Sequence, residues 1–422
     1  MQSFTELTIS QYTQDRLAAA KFTIPTPVQA AAIPEALEGK DVLATAQTGT
    51  GKTLAFLIPI IEHLLHNEAA GIAALVLVPT RELAMQVVDQ YNDLRGKKLM
   101  PAALVVGGLA ESTQLTALRK GARLVVATPG RLEDYLGRKL INFRALRILI
   151  LDEADRMVDM GFLPAVRRIV ATLPSERQTM CFSATMAPEV ARLVNDYQRN
   201  AVRLAFGSTT KPTENVRVQA FEVAHDRKQE VLQRLLTREK GRCLVFARTK
   251  RGTERLAKTL IRQGFAAAMI HGDRTQSQRT AALAGFQRGS YRVLVATDVA
   301  SRGIHVQDIA HVINYDMPAD AEAFIHRAGR TGRMGERGVA STLFARDQHT
   351  DLQQLERTLG LRMERMREGV DSWEKTDGTS IPTPASHRHG SSTTSFIDRA
   401  ESAPRARMQK LPGEVLQIQM EG

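Results

Sequence analysis

Residues 146–155 read Leu146-Arg147-Ile148-Leu149-Ile150-Leu151-Asp152-Glu153-Ala154-Asp155, an almost unbroken apolar run that stops at three carboxylates. A run this apolar is expected as a strand buried on both faces, as in a parallel sheet. Asp152, Glu153 and Asp155 then sit at its carboxyl end, the edge where open α/β sheets hold their ligands. Neighbouring strand residues point to opposite faces. Asp152 and Glu153 can therefore face one ligand only if the chain leaves the strand at a turn between them.

Upstream, Ala46-Gln47-Thr48-Gly49-Thr50-Gly51-Lys52-Thr53 lies between an apolar run at 42–46 and a helical pattern over 54–65. Strand, glycine-rich loop and helix in that order form a phosphate cradle, whose glycines let backbone N–H groups turn inward around phosphate oxygens. Lys52 is expected to reach the β- and γ-phosphates and the Thr53 hydroxyl to ligate Mg²⁺. Ala46 stands where such loops usually begin with glycine, which leaves the lysine and threonine chemistry intact. Asp152 is the natural magnesium partner, and Glu153 is placed to orient and deprotonate an attacking water. The combination predicts a nucleoside triphosphatase.

Working outward, strand-like runs recur at 42–46, 74–78, 102–106, 123–127, 146–151 and 179–183. After a polar stretch they restart at 243–247, 267–270, 292–297, 311–315 and 339–344. Strands alternating with amphipathic helices predict parallel sheets with helices on both faces. The break at Gly207-Ser208-Thr209-Thr210-Lys211-Pro212-Thr213 reads as a linker. The expected organisation is a nucleotide-binding domain over 1–207, a linker over 208–215, a second α/β domain over 216–362 and a flexible tail over 363–422. The two α/β domains are expected to face one another across a cleft. Polar segments such as Asp377-Gly378-Thr379-Ser380 give the tail little to bury, and it is expected to be poorly ordered.

The 422 residues carry 57 Lys/Arg against 45 Asp/Glu, and the excess is uneven. Residues 216–362 hold 25 basic against 15 acidic side chains, a net of +10. That charge predicts a polyanion-binding face built into the second domain. Cys181 and Cys243 lie inside apolar runs and read as buried small hydrophobes. No apolar stretch reaches the roughly 20 residues of a membrane span. No membrane partner is expected, no secretory signal is visible at Met1-Gln2-Ser3-Phe4, and a cytoplasmic address follows by default.

Asp152-Glu153-Ala154-Asp155 is the signature of the DEAD-box ATP-dependent RNA helicases, and the chain resembles that family through a dozen ordered motifs spread over residues 4–345. Phe22 with Thr26-Pro27-Val28-Gln29 is similar to the family's adenine-reading segment. Pro79-Thr80-Arg81-Glu82-Leu83-Ala84, Gly107-Gly108 and Thr128-Pro129-Gly130-Arg131 resemble its RNA-backbone contacts, and Ser183-Ala184-Thr185 its coupling segment. In the second half Leu244–Thr249, Gln276–Arg279, Thr297–Gly303 and His326–Arg333 match in turn. Ala328 replaces a bulkier aliphatic and His305 an aspartate.

The resemblance implies two tandem RecA-like domains of bacterial type, with ATP and Mg²⁺ as ligands. It implies that Phe22 stacks on the adenine and Gln29 bonds its edge, with residues 46–53, Asp298, Arg330 and Arg333 completing the nucleotide site. Arg327, Arg330 and Arg333 recur at spacing three, so on a helical turn they would project to one side. By resemblance Arg330 and Arg333 are the arginine fingers that reach the γ-phosphate across the cleft. RNA contacts are implied for Thr80, Arg81, Gly108, Thr128, Arg131, Arg248, Thr249, Arg279 and Thr297. Coupling is implied for Asp155, Ser183, Thr185 and His326. The expected activity is RNA-stimulated ATP hydrolysis driving local, non-processive unwinding or remodelling of RNA duplexes and RNA–protein complexes, with single-stranded or duplex RNA held through sequence-independent backbone contacts. Ribosome-assembly or RNA-decay proteins are the expected partners. A DNA-directed ATPase of the same superfamily and an ATP-gated RNA clamp serving as a scaffold are the competing readings.

Overall fold

Both halves of the chain fold as alternating strands and helices, in a computed structural model that describes residues 3–46, 49–206, 215–298, 308–332, 336–368, 373–375, 409–411 and 415–417. Gln47, Thr48, His305, Arg333, residues 207–214 of the linker region and most of the tail lie outside the described residues. The first domain runs α1 (Gln11–Ala19), α2 (Pro27–Leu37), β1 (Val42–Ala46), α3 (Lys52–His66), β2 (Ala74–Leu77), α4 (Arg81–Arg95), β3 (Ala103–Val105) and α5 (Glu111–Arg119). It continues through β4 (Leu124–Ala127), α6 (Pro129–Gly137), β5 (Ile148–Asp152), α7 (Ala154–Asp159), α8 (Leu163–Ala171), β6 (Gln178–Ser183), α9 (Pro188–Tyr197) and β7 (Val202–Phe206).

Seven strands pair in the parallel order β7-β1-β6-β5-β2-β4-β3. β6 lies between β1 and β5, with Thr45 level with Ser183 and Asp152 level with Phe182. The phosphate loop, the acidic turn and residues 183–185 therefore leave the sheet together at one edge. Apolar clusters fill both faces. Phe56 of α3 packs on Phe182 of β6 with ring centroids 5.4 Å apart, both fully buried. Burying each such side chain is worth roughly 1.5–3 kcal/mol. Truncating Phe182 to alanine would cost about 3–5 kcal/mol beneath the phosphate loop. Buried Glu62 fixes the amino-terminal segment, accepting hydrogen bonds from the Ser10 backbone N–H at 3.0 Å, the Ser10 hydroxyl at 2.7 Å and the Thr13 hydroxyl. This ties α1 to α3.

The second domain runs β8 (Val216–Glu222), α10 (Lys228–Arg238), β9 (Arg242–Phe246), α11 (Lys250–Arg262), β10 (Ala267–Ile270), α12 (Gln276–Gln287) and β11 (Val293–Ala296). β12 (Ile309–Asn314), α13 (Ala321–Ala328), β13 (Gly338–Phe344), α14 (His349–Leu359) and β14 (Glu364–Glu368) follow. Its seven parallel strands are ordered β10-β11-β9-β12-β13-β8-β14. Short strands extend both edges: β15 (Trp373–Lys375) runs antiparallel to β14, and β16 (Gln409–Leu411) pairs with β17 (Val415–Gln417), which lies along β7. A polar thread crosses three strands of the second sheet. His311 Nε2 lies 2.7 Å from the Ser341 hydroxyl, which donates to Gln219 Oε1 at 3.4 Å. Burial pushes the His311 imidazole down to about 4.

Every strand expected from the apolar runs forms, within three residues of the expected bounds. The second domain, however, does not stop at 362, because Glu364, Arg365 and Met366 pair in register with Gln219, Ala220 and Phe221. Arg365 anchors this outer strand by a bidentate bond to Glu356 of α14, at 2.9 and 2.7 Å. Cys181 and Cys243 are fully buried strand residues, with thiols pushed up by burial. No described helix is long and apolar enough to cross a membrane.

Candidate nucleotide and nucleic-acid site

Lys52 opens α3, and its buried ammonium curls back to donate to the Ala46 carbonyl at 2.8 Å. Gly49 and Gly51 take φ of 91° and 89°, a region that side chains disfavour. Gly51 has a second reason to lack a side chain, since a Cβ there would stand 2.3 Å from Gln29 Nε2. Gln29 lies in the first turn of α2. Its Oε1 accepts from the Thr26 backbone at 2.9 Å, and its Nε2 donates to the Gly51 carbonyl at 2.9 Å. The amide expected at a base edge thus braces the back of the phosphate loop. Phe22 is half-buried, packed at the margin of the first core. Thr53 is half-buried one residue into α3.

β5 ends at Asp152, and Glu153 turns the chain with φ 52° and ψ 51°. A left-handed conformation in a non-glycine residue costs on the order of 1–3 kcal/mol and persists only where its surroundings hold it. Asp152 Oδ1 accepts from the Glu153 backbone at 2.9 Å, and Arg156 Nη1 bonds Glu153 Oε2 at 2.6 Å. Both members of the Glu153–Arg156 pair are buried. Burial pushes the Asp152 carboxyl up to about 7; Lys52 pulls it back and the Glu153 charge adds to the rise. A carboxylate this starved of water, beside a second one and at the foot of a phosphate loop, suits a divalent cation.

Asp155 faces the neighbouring strand. Its Oδ2 accepts from the backbone N–H groups of Ala184 at 3.0 Å and Thr185 at 2.9 Å and from the Thr185 hydroxyl at 3.3 Å. The Asp155 backbone donates to the Ser183 hydroxyl at 3.2 Å. From the second domain, His326 and Glu322 of α13 arrive at the same place. One polar atom each from Asp155, Glu322 and His326 lies within 4.8 Å of the others. His326 is pushed down to about 4, first by burial and then by the Arg156 charge, with Asp155 opposing.

A second seam joins α4 to α12. Glu82 Oε1 accepts from Gln276 Nε2 at 3.0 Å and pairs with Arg279 at 3.0 Å, while Arg81 reaches Gln276 Oε1 at 3.5 Å. Arg81 also lies across Gly107 and Gly108, where a Cβ on Gly108 would stand 2.0 Å from its Nη1. Thr80 caps α4 and Thr249 caps α11, each hydroxyl accepting from the first turn. Thr128 precedes α6, and Thr297, also buried, follows β11. Arg248 is exposed, and its backbone donates to Asp316 at 2.8 Å. Arg131 is engaged at 2.9 Å by both Glu111 and Asp134 and stacks over Tyr135.

The arginine series departs from expectation. α13 ends at Ala328, so Arg327 and Arg330 do not share a helical face. Arg327 turns inward to a bidentate bond with Asp298, at 2.6 and 2.7 Å, and to Asn314 and the Asp316 carbonyl. Asp298, expected beside the nucleotide, holds this arginine. Arg330 is buried at the seam with its Nε donating to the His326 carbonyl at 3.2 Å. Gln47, Thr48 and Arg333 lie outside the described residues. Ala328 is fully buried with Phe324 in an apolar cluster of the second domain. The sequence reading did not single out Arg156, Glu82 and Glu322 as functional. Their signals were spacing: Arg156 three residues beyond Glu153, Glu82 beside Arg81, and Glu322 four before His326.

The model of the DEAD/DEAH box helicase family matches residues 26–193, and that of the helicase conserved C-terminal domain matches residues 227–335. The chain belongs to the DEAD-box helicase family. It is 39% identical over 368 residues to the DEAD-box ATP-dependent RNA helicase CshA of Geobacillus kaustophilus, covering 87% of this chain and 79% of that protein. It is 41% identical over 350 residues to the ATP-dependent RNA helicase vasa of Drosophila melanogaster, covering 82% of this chain and 53% of vasa. The chain thus spans about half the length of vasa, and 45% of the helicase ddx17 of Dictyostelium discoideum. The structure of S. cerevisiae Dbp5 bound to RNA and ADP BeF3 superposes with a TM-score of 0.79 at 29% identity, covering 87% of this chain and 96% of that one. Two RecA-like domains, meeting through Asp155–His326 and Glu82–Arg279, make up the helicase core of this chain.

Proposed function

We propose that this DEAD-box helicase hydrolyses ATP in response to RNA and uses domain closure to separate or remodel short RNA duplexes and RNA–protein complexes. The observation that carries the reading is Asp155, which holds residues 184 and 185 with its carboxylate and Ser183 with its backbone N–H, and meets His326 of the opposite domain. A single side chain thereby links the hydrolytic turn to the domain seam. Lys52 and the loop glycines bind the phosphates, and Phe22 stacks on the adenine while Gln29 steadies the loop. Glu153 orients the attacking water and takes its proton. Arg330 and Arg333 approach the γ-phosphate, and Asp298 acts by fixing Arg327 and with it α13. Thr53 and Asp152 would hold Mg²⁺, which supplies charge neutralisation on the phosphates when bound.

RNA lies across Thr80, Arg81, Gly108, Thr128 and Arg131 of the first domain and Arg248, Thr249, Arg279 and Thr297 of the second. Hydroxyls and guanidiniums of this kind bind phosphate and sugar and do not read bases. ATP and RNA each favour the closed state, so each strengthens the binding of the other. The helicase acts in the cytoplasm, alongside ribosome-assembly or RNA-decay proteins. The test compares stimulation of ATP hydrolysis by single-stranded RNA and DNA of equal length. Selective stimulation by RNA is expected, and equal stimulation would overturn the RNA reading in favour of a DNA-directed ATPase.

A further inference from the structure

The arginines of the cleft do not account for the net charge of +10 carried by residues 216–362. Much of it lies on α11. The inward residues Thr253, Leu256, Ala257 and Leu260 are buried where this helix packs on β10 and β11. At about 100° per residue, Arg251, Arg255, Lys258 and Arg262 fall within roughly 60° of one another on the opposite side. All four are exposed.

This row is poorly neutralised. Among the described residues neither Arg251 nor Arg255 meets a carboxylate. Lys258 pairs with Glu254 at 2.9 Å, and among the described residues Arg262 donates to the Thr259 hydroxyl at 3.1 Å and meets no carboxylate. Several exposed arginines elsewhere are answered, Arg138 by Glu111 and Asp134, Arg168 by Glu133, Arg199 by Glu176, and Arg234 by Glu230. Others, such as Arg119 and Arg144, stand singly, and what sets α11 apart is that its basic residues are aligned along one face. Like charges four residues apart weaken a helix by about 0.2–0.5 kcal/mol per pair. A solvated face gains nothing from such a row, whereas a polyanion lying along it removes the repulsion.

Position identifies the polyanion. α11 begins where β9 ends, at the ligand edge, and its amino terminus carries Arg248 and Thr249. From there the row descends the flank of the domain for about 17 Å. We propose that the outer face of α11 is a second RNA-binding track, taking the phosphate backbone of RNA that emerges from the cleft. The proposal rests on the RNA reading above. A single-stranded flank and a duplex arm present the same phosphates, and the experiment separates them.

The triple variant R251Q/R255Q/R262Q of the full chain is compared with wild type by RNA-binding anisotropy across a salt series. Three probes are used: the shortest oligouridylate that stimulates ATP hydrolysis, the same RNA with a single-stranded extension, and the same RNA with a duplex arm. The shortest probe is expected to bind and stimulate both proteins equally. The extended probe on which the track acts is expected to bind the variant about tenfold more weakly, the effect of three exposed ion pairs. Its slope of log affinity against log salt should fall by about 2 for a single-stranded flank or nearly 3 for a duplex arm. Equal loss on all three probes, or loss on none, overturns the track, and the latter leaves the row to an acidic protein. If wild type fails to bind even the shortest RNA, the RNA reading itself falls and the track with it.

Discussion

Arg156 carries its charge where almost no water reaches, next to the carboxylate assigned to the attacking water. Its Nη1 holds Glu153 in a left-handed turn, while its Nη2 is buried without a hydrogen-bond partner among the described residues. Lysine can supply the charge but not the planar fork. Arg156→Lys is therefore expected to lower RNA-stimulated kcat by on the order of 10- to 100-fold, less than the full 10²–10⁴ that a positioned base contributes because Glu153 itself remains, with the KM for ATP little changed. Steady-state kinetics decide it; a rise in KM alone would mean that Arg156 serves binding. Gly108 yields a second expectation. Alanine there displaces Arg81, so RNA affinity should fall while basal ATP hydrolysis is unchanged, as read by filter binding and an RNA-free assay. The turn at Glu153 was legible in the sequence because two carboxylates on one strand cannot face one ligand. Arg156 was not, because a lone arginine after an acidic cluster reads as surface until its burial is known.

Helices α4 and α12 form a latch through Glu82, Gln276 and Arg279. Glu82→Ala cuts two of its bonds and leaves the nucleotide pocket alone. RNA binding without nucleotide should hold steady or improve, since Arg279 is released. The gain in RNA affinity produced by a non-hydrolysable ATP analogue should shrink by about tenfold, a loss of about 1.4 kcal/mol of coupling. An undiminished gain would show that the latch is bystander packing. Among the strands, β12 predicts a pH effect. His311 has a folded value of about 4 against about 6.5 when unfolded, so the unfolded chain binds the extra proton. Stability is whole above about pH 6.5 and declines as the pH falls toward 4, by on the order of 3 kcal/mol. Urea midpoints at pH 7.5 and 4.5 should converge in His311→Asn relative to wild type. Central strands were legible as unbroken apolar runs. β7, β8 and β14 were missed because strands toward the margins of the sheets alternate, as in Val216-Arg217-Val218-Gln219, or carry mostly charges, as in Glu364-Arg365-Met366-Arg367-Glu368.

A neutral imidazole sits at the domain seam, where burial pushes His326 down to about 4 from an ordinary value near 6.5. Opening the seam to water is expected to return it toward that ordinary value. Closing is unopposed above about pH 6.5 and increasingly resisted as the pH falls toward 4. Energy transfer between dyes on the two domains, with RNA and an ATP analogue bound, should report fewer closed molecules at pH 5.5 than at 7.5. His326→Asn should flatten that difference, and an unchanged difference would move the titration elsewhere. The two-domain plan was open to sequence reading because strand periodicity restarts after the linker. The seams were not, because Glu82 and Arg279 are 197 positions apart and nothing local marks them as partners.

The bond from Gln29 to Gly51 bears on how such a chain can change over generations. The two residues lie 22 positions apart, yet any side chain at 51 would evict the amide, and loss of the amide would leave the loop carbonyl unanswered. Neither position can drift alone without disabling the other. A lineage that loses either residue must therefore rebuild the phosphate loop and its brace together, so this corner of the fold is hard to alter by single substitutions.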